Sequence, residues 1–60
     1  MMNEMLLRRR EVEARTGLSR SAIYAAMAAG MFPRPVRVGA KAVAWRATDI
    51  DGWIRSREAA

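Results

Sequence analysis

Residues 16–24, TGLSRSAIY, decide the fold. Gly17 suits the positive φ that a helix ending at Thr16 needs just past its last turn. Leu18 is an apolar plug beyond that turn. Ser19 can cap a following helix by accepting a backbone N–H. Arg20 and Ser21 then fall in that helix's first turn, and Ile23 and Met27, four apart, share one buried face. Arg20 and Ser21 thus stand at the leading end of the second helix. That is the geometry with which a recognition helix enters the DNA major groove.

Upstream, a first helix is expected from Arg9 or Arg10 to Thr16. Glu11 and Glu13 near its start and Arg15 near its end suit the helix dipole. Val12 is its core anchor. Residues 1–7 are either a loosely ordered lead-in or an edge strand using Met5 and Leu7. Downstream, the second helix runs to about Ala29 on a run of Ala, the strongest helix former, and Gly30 stops it. Phe32-Pro33-Arg34-Pro35 cannot continue a helix, because each proline pushes its predecessor to an extended conformation. Val36-Arg37-Val38, a turn at Gly39-Ala40-Lys41, and the return through Ala42 to Trp45 read as a β-hairpin, with Val43 and Trp45 on one face. Thr48 is the expected cap of a third helix reaching about Arg57, with Asp49 and Asp51 in its first turn. Ile50, Trp53 and Ile54 form its apolar stripe. Gly52 inside it implies a close contact, with the hairpin as the candidate neighbour.

Sixty residues make one domain, 1–60, in which only about 60% of the unfolded chain's surface can be buried. The apolar fraction of 52% overstates the core, because twelve of those residues are Ala. Without Cys, no disulfide or thiolate-bound metal stiffens the fold. The expected core is Leu18, Ile23, Met27, Phe32, Val36, Val38, Val43, Trp45, Ile50, Trp53 and Ile54. The order helix, helix, two-stranded hairpin, helix defines an α+β, mostly helical fold, a compact winged helix-turn-helix.

The net charge is +5, the pI is about 11.4, and ten of the eleven basic residues are Arg. Such a surface favours polyanions, and the guanidinium fork fits phosphates and guanine edges. No apolar run approaches the roughly 20 residues of a membrane span. The N-terminal charges follow the apolar patch instead of preceding it, opposite to a signal peptide. A cytoplasmic, nucleoid-associated protein is expected, with no membrane partner. Without His or Cys, a nucleotide-binding glycine loop or room for a sizeable pocket, an enzyme is not expected. Nor is a catalytic residue, a cofactor, a metal site or a small-molecule substrate.

LLRRREVEARTGLSRSAIY followed by GMFPRPVRVGAKAVAWRATDIDGWI resembles the AlpA family of phage and prophage regulators. That family is related to the small phage excisionases and to the N-terminal DNA-binding part of the MerR regulators. The resemblance covers about residues 6–57, with the TGLSRS turn, the FPRPV connector, the VGAKAVAW hairpin and the DIDGWI helix all in order. It implies transcriptional regulation, or excision as a recombination directionality factor. The family commonly has Thr where Ala22 stands, a basic residue at Ala25 and an aliphatic one at Ala26. The first two differences remove potential DNA contacts, and the third thins the helix's packing.

The expected double-stranded DNA interface combines a recognition helix at about 20–29 in the major groove with a hairpin wing at about 36–45 on the adjacent minor groove or backbone. Ser19 is first an N-cap, and its hydroxyl or the amides it orients can also meet a phosphate. Arg20 and Ser21 are candidates for base or phosphate contact, Arg20 with the option of bidentate guanine readout. Tyr24 is either purely structural or brings its hydroxyl to a phosphate. The basic run Arg8, Arg9 and Arg10 is either a solvated helix start or a phosphate contact, since like charges at a helix start oppose its dipole unless a polyanion offsets them, and Arg9 and Arg10 are taken as its DNA-binding residues. Arg37 on the hairpin and Lys41 at its tip complete the set, with Arg34 and Arg46 flanking it. Trp45 and Trp53 are read as core residues, not base-stacking platforms.

Further partners under this reading are a second copy on a neighbouring DNA site and a phage-type integrase. The alternative is a small protein-interaction module that recruits an integrase or another partner and holds DNA only nonspecifically. It would use the spare apolar residues Met1, Met2, Met5, Leu6 and Met31.

Overall fold

A computed structural model of the chain describes residues 5–59. Met1 and Met2, and the lead-in expected over residues 1–4, lie outside the described residues. The elements run β1 (Leu6–Leu7), α1 (Arg9–Thr16), α2 (Arg20–Ala28), β2 (Val36–Arg37), β3 (Val43–Arg46) and α3 (Ala47–Arg55). The sheet is three-stranded and antiparallel in the order β1-β3-β2. This corrects the expected two-stranded hairpin: of the two readings of the lead-in, the edge strand holds over Leu6–Leu7. Leu7 pairs with Trp45 and is fully buried beside it.

The turn between α1 and α2 is built as its residues suggest. Gly17 has φ +76° and donates to the Glu13 carbonyl at 2.8 Å. The Thr16 hydroxyl donates to Val12 O and accepts from Leu18 N–H, which stitches the turn to the helix end. The Ser19 hydroxyl accepts from Ala22 N–H at 3.1 Å and caps α2. Gly30, at φ +73°, closes α2 with Gly30 N–H on Met27 O and Met31 N–H on Ala26 O. That is the paired bonding of a Schellman end.

The connector to β2 is pinned by both indoles. Trp45 Nε1 donates to Pro33 O at 3.0 Å, and Trp53 Nε1 donates to Met31 O at 3.1 Å. Phe32 sits between them in sequence and packs edge-on against the Trp53 ring at 5.0 Å. The core comprises Leu7, Val12, Ile23, Phe32, Trp45, Ala47 and Ile50, with Leu18, Ala26, Met27 and Trp53 packed against it.

Several core expectations need correction. Val38, Val43 and Ile54 are exposed, while Ala44 and Ala47 are buried. Val43 alternates with the buried Trp45 along β3 but lines an open cleft beside Tyr24. Trp53 is only partly buried, its outer face covered by the Arg57 guanidinium at 4.4 Å. Thr48 is not the cap of α3. That helix follows β3 without a loop, Arg46 is its N-cap residue, and its first amide, Ala47 N–H, donates to Met5 O across the sheet at 2.8 Å. The helix also ends at Arg55, two residues early. Gly52 makes no close contact, since a Cβ there would meet nothing within 4 Å.

Candidate nucleic-acid interface

The exposed side of α2 is nearly bare. Ile23 points into the core, so Ser21, Ala25 and Ala28, spaced by four and three, turn to solvent. Arg20 and Tyr24 border this strip, with the Arg20 guanidinium 5.8 Å from the Tyr24 ring centre. Ser19 is committed as a cap acceptor. A helix with so little bulk on its outer face can approach a surface closely, and only Arg20, Ser21 and Tyr24 offer it polar groups.

Two clefts open beside Tyr24, which is 42% exposed. One, of about 310 Å³, is lined by Arg8, Arg9, Arg10, Tyr24, Lys41 and Val43. It joins the start of α1, the middle of α2 and the hairpin turn. The other, of about 480 Å³, is lined by Tyr24, Met27, Ala28, Arg34 and Pro35. Arg37 stands opposite Val43 across the hairpin and is exposed, so it extends the basic rim of the first cleft along the same sheet face.

The three arginines of the basic run are not equivalent. Arg9 is held by Glu13 one turn along α1. Glu11 turns back to accept the Arg8 backbone N–H at 2.9 Å, which anchors the helix start. The side chains of Arg8 and Arg10 have no carboxylate partner among the described residues, nor do those of Arg20, Arg34, Arg37 and Lys41. A further ion pair, Arg15–Asp51 at 3.4 Å, lies between α1 and α3, away from these clefts. Arg9, expected to contact DNA, lines the cleft but is paired with Glu13. Arg8, expected to contact phosphate with the rest of the run, lines the cleft as well. The i,i+4 spacing of Arg9 and Glu13 was the signal for the first point. The second needed the fold.

A larger concavity of about 740 Å³ lies between the connector and α3, bounded by Met31, Phe32, Arg34, Asp49 and Trp53. It is an open groove with a mixed lining and not an enclosed cavity. No helix among the described residues is long and apolar enough to cross a membrane.

Residues 5–58 match the family described as Prophage CP4-57 regulatory protein (AlpA). The chain is also 43% identical over 54 residues to the uncharacterized protein ORF88 of Enterobacteria phage P4. That alignment covers 90% of this chain and 61% of the phage protein.

Proposed function

The chain belongs to the AlpA family of prophage regulatory proteins, a family of regulators and not of enzymes, and from that premise we propose that it acts by binding double-stranded DNA sequence-specifically. In this reading the fold works as a winged helix-turn-helix. The α2 helix enters the major groove with Arg20 and Ser21 leading, and the β2–β3 turn places Lys41 on the adjacent backbone or minor groove. The regulatory output is control of a promoter or, as an excisionase, of recombination.

The observation that carries this reading is the collection of uncompensated cations around α2. Arg8, Arg10 and Lys41 share one cleft, Arg20 lies against the Tyr24 ring that borders it and Arg37 pairs with its Val43, and none of the five has a carboxylate partner among the described residues. The acids of α1 are occupied elsewhere. Between these cations lies a narrow helix face able to enter a groove. Ala22 and Ala25 give no polar readout, so thymine methyls and groove shape carry part of the specificity and phosphates carry much of the affinity.

The test is selection of a duplex from a random pool, followed by a mobility shift against nonspecific competitor. A recovered site, bound in preference to random duplex, is the expected result. Joint replacement of Arg20, Arg37 and Lys41 by Ala should abolish binding at physiological salt. Binding that survives would transfer the function to the interaction-module reading. One observation favours that second reading as an addition: Met5, Leu6 and Met31 are 56%, 44% and 67% exposed, apolar area that a protein partner could cover.

A further inference from the structure

We infer that the cleft between the start of α1 and the β2–β3 turn seats a single backbone phosphodiester, gripped jointly by Arg8, Arg10 and Lys41. This deepens the DNA-binding reading and rests on it. It also changes the roles of the residues. The arginine run and the hairpin tip become the two jaws of one clamp instead of two contacts on separate stretches of backbone.

Among the described residues, six line the cleft and none of them is acidic. Four are cations, of which Glu13 neutralises Arg9. The carboxylate of Glu11 faces the Arg8 backbone N–H and leaves the Arg8 guanidinium uncompensated. Three like charges are thus held around one small concavity, an arrangement that repels itself until an anion enters. Val43 supplies an apolar wall and Tyr24 a wall with a hydroxyl at its end. A cleft of about 310 Å³ has room for a phosphate group. Guanidinium forks and an ammonium approaching from different elements suit the several oxygens of one phosphate. Because the jaws belong to α1 and to the hairpin, with α2 between them through Tyr24, the seated phosphate would fix the register of α2 along the duplex.

The test uses the selected duplex, labelled for anisotropy titration at several salt concentrations. Backbone phosphates are replaced one at a time by neutral methylphosphonates. The proteins are the parent chain, Arg10→Ala, Lys41→Ala and the double variant, whose melting curves should coincide because both side chains are exposed. For the parent, one replaced position is expected to weaken binding by about fivefold, the share of a single phosphate in a contact of this kind. In either single variant the same replacement should have a much smaller effect. The double variant should lower the salt slope by about one unit, because one phosphate is lost.

Two different sensitive positions, one lost with each variant, and a slope reduced by about two units would overturn the clamp while leaving DNA binding intact. So would DNA binding with no sensitive position. Failure to bind any duplex would remove the clamp together with the reading it rests on. Inorganic phosphate is expected to compete better than chloride at equal ionic strength, because the cleft suits phosphate oxygens. The same preference for phosphate persisting undiminished in the double variant would place that anion outside the cleft and overturn the clamp.

Discussion

On the α3 side of the molecule, Trp53 donates to Met31 O, Arg57 covers the Trp53 ring, Asp51 pairs with Arg15 and Ala47 N–H finds Met5 O. On the α2–hairpin side, Arg10, Arg37 and Lys41 have no such partners among the described residues, and Arg20 has only the Tyr24 ring at 5.8 Å. Both sides are rich in Arg, so composition does not separate them. What separates them is where the carboxylates and carbonyls lie. A cation held inside the molecule rigidifies it. A cation left to solvent adds little to stability but remains available to a polyanion. The comparison therefore predicts that substitutions divide cleanly: those on one side change melting, and those on the other change binding.

The largest effect is expected at Trp45. Its ring is fully buried, and its Nε1–H is bonded to Pro33 O. Trp45→Ala should cost about 3–5 kcal/mol. A domain of this size has roughly 3–9 kcal/mol in total, so the variant should be largely unfolded by circular dichroism. Trp53→Ala removes a half-exposed ring, an edge-on contact to Phe32 and a bond to Met31 O. It should cost only about 1–3 kcal/mol and leave a cooperative melt. Equal losses at the two tryptophans would mean that the α3 side is as deeply built as the sheet.

Next in size come the binding variants. Arg20→Ala should weaken binding to the selected duplex by about 1–3 kcal/mol, as for a lost base contact, and weaken random duplex less. Lys41→Ala should weaken both duplexes alike and reduce the salt slope by about one unit. Neither should move the melting free energy by more than about 0.5 kcal/mol. A destabilised fold in either variant would break the proposed division of labour.

Much of this architecture could be read locally. The end of α1, the Ser19 cap and the Gly30 stop depend on residues within a few positions of one another, so their chemistry is visible in the string. The misreadings are non-local. Leu7 becomes core only because β1 pairs with Trp45 from the far end of the chain. Thr48 is not the cap because α3 begins at Ala47, one residue before it and directly after β3, with its first amide on Met5 O. Val43 follows the expected alternation yet is exposed, because it faces an open cleft between the hairpin and the helices. The candidate interface divides in the same way. Arg20 and Ser21 follow from the turn, whereas the meeting of Arg8 and Arg10 with Lys41 depends on how α1 packs against the hairpin.

The smallest effects come from two glycines and test whether backbone or packing chose them. Gly17 sits at φ +76° with open space around its Cα. Gly17→Ala therefore meets no clash, and its whole penalty is the left-handed backbone, about 1 kcal/mol. Gly52 lies inside α3 without a positive φ, and a Cβ there also meets nothing within 4 Å. Gly52→Ala should therefore gain up to about 1 kcal/mol through helix propensity and a less flexible unfolded chain. In a domain this small, the two changes should shift the melting temperature in opposite directions by about 4–8 °C. DNA affinity should be unchanged by Gly52→Ala, which lies on the α3 groove and away from the basic clefts. A lower melting temperature for Gly52→Ala would mean that something packs against that face of α3. Weaker DNA binding from the same variant would mean that the two sides are coupled through the core, and that Arg20 and Lys41 act on a surface whose shape the α3 side controls.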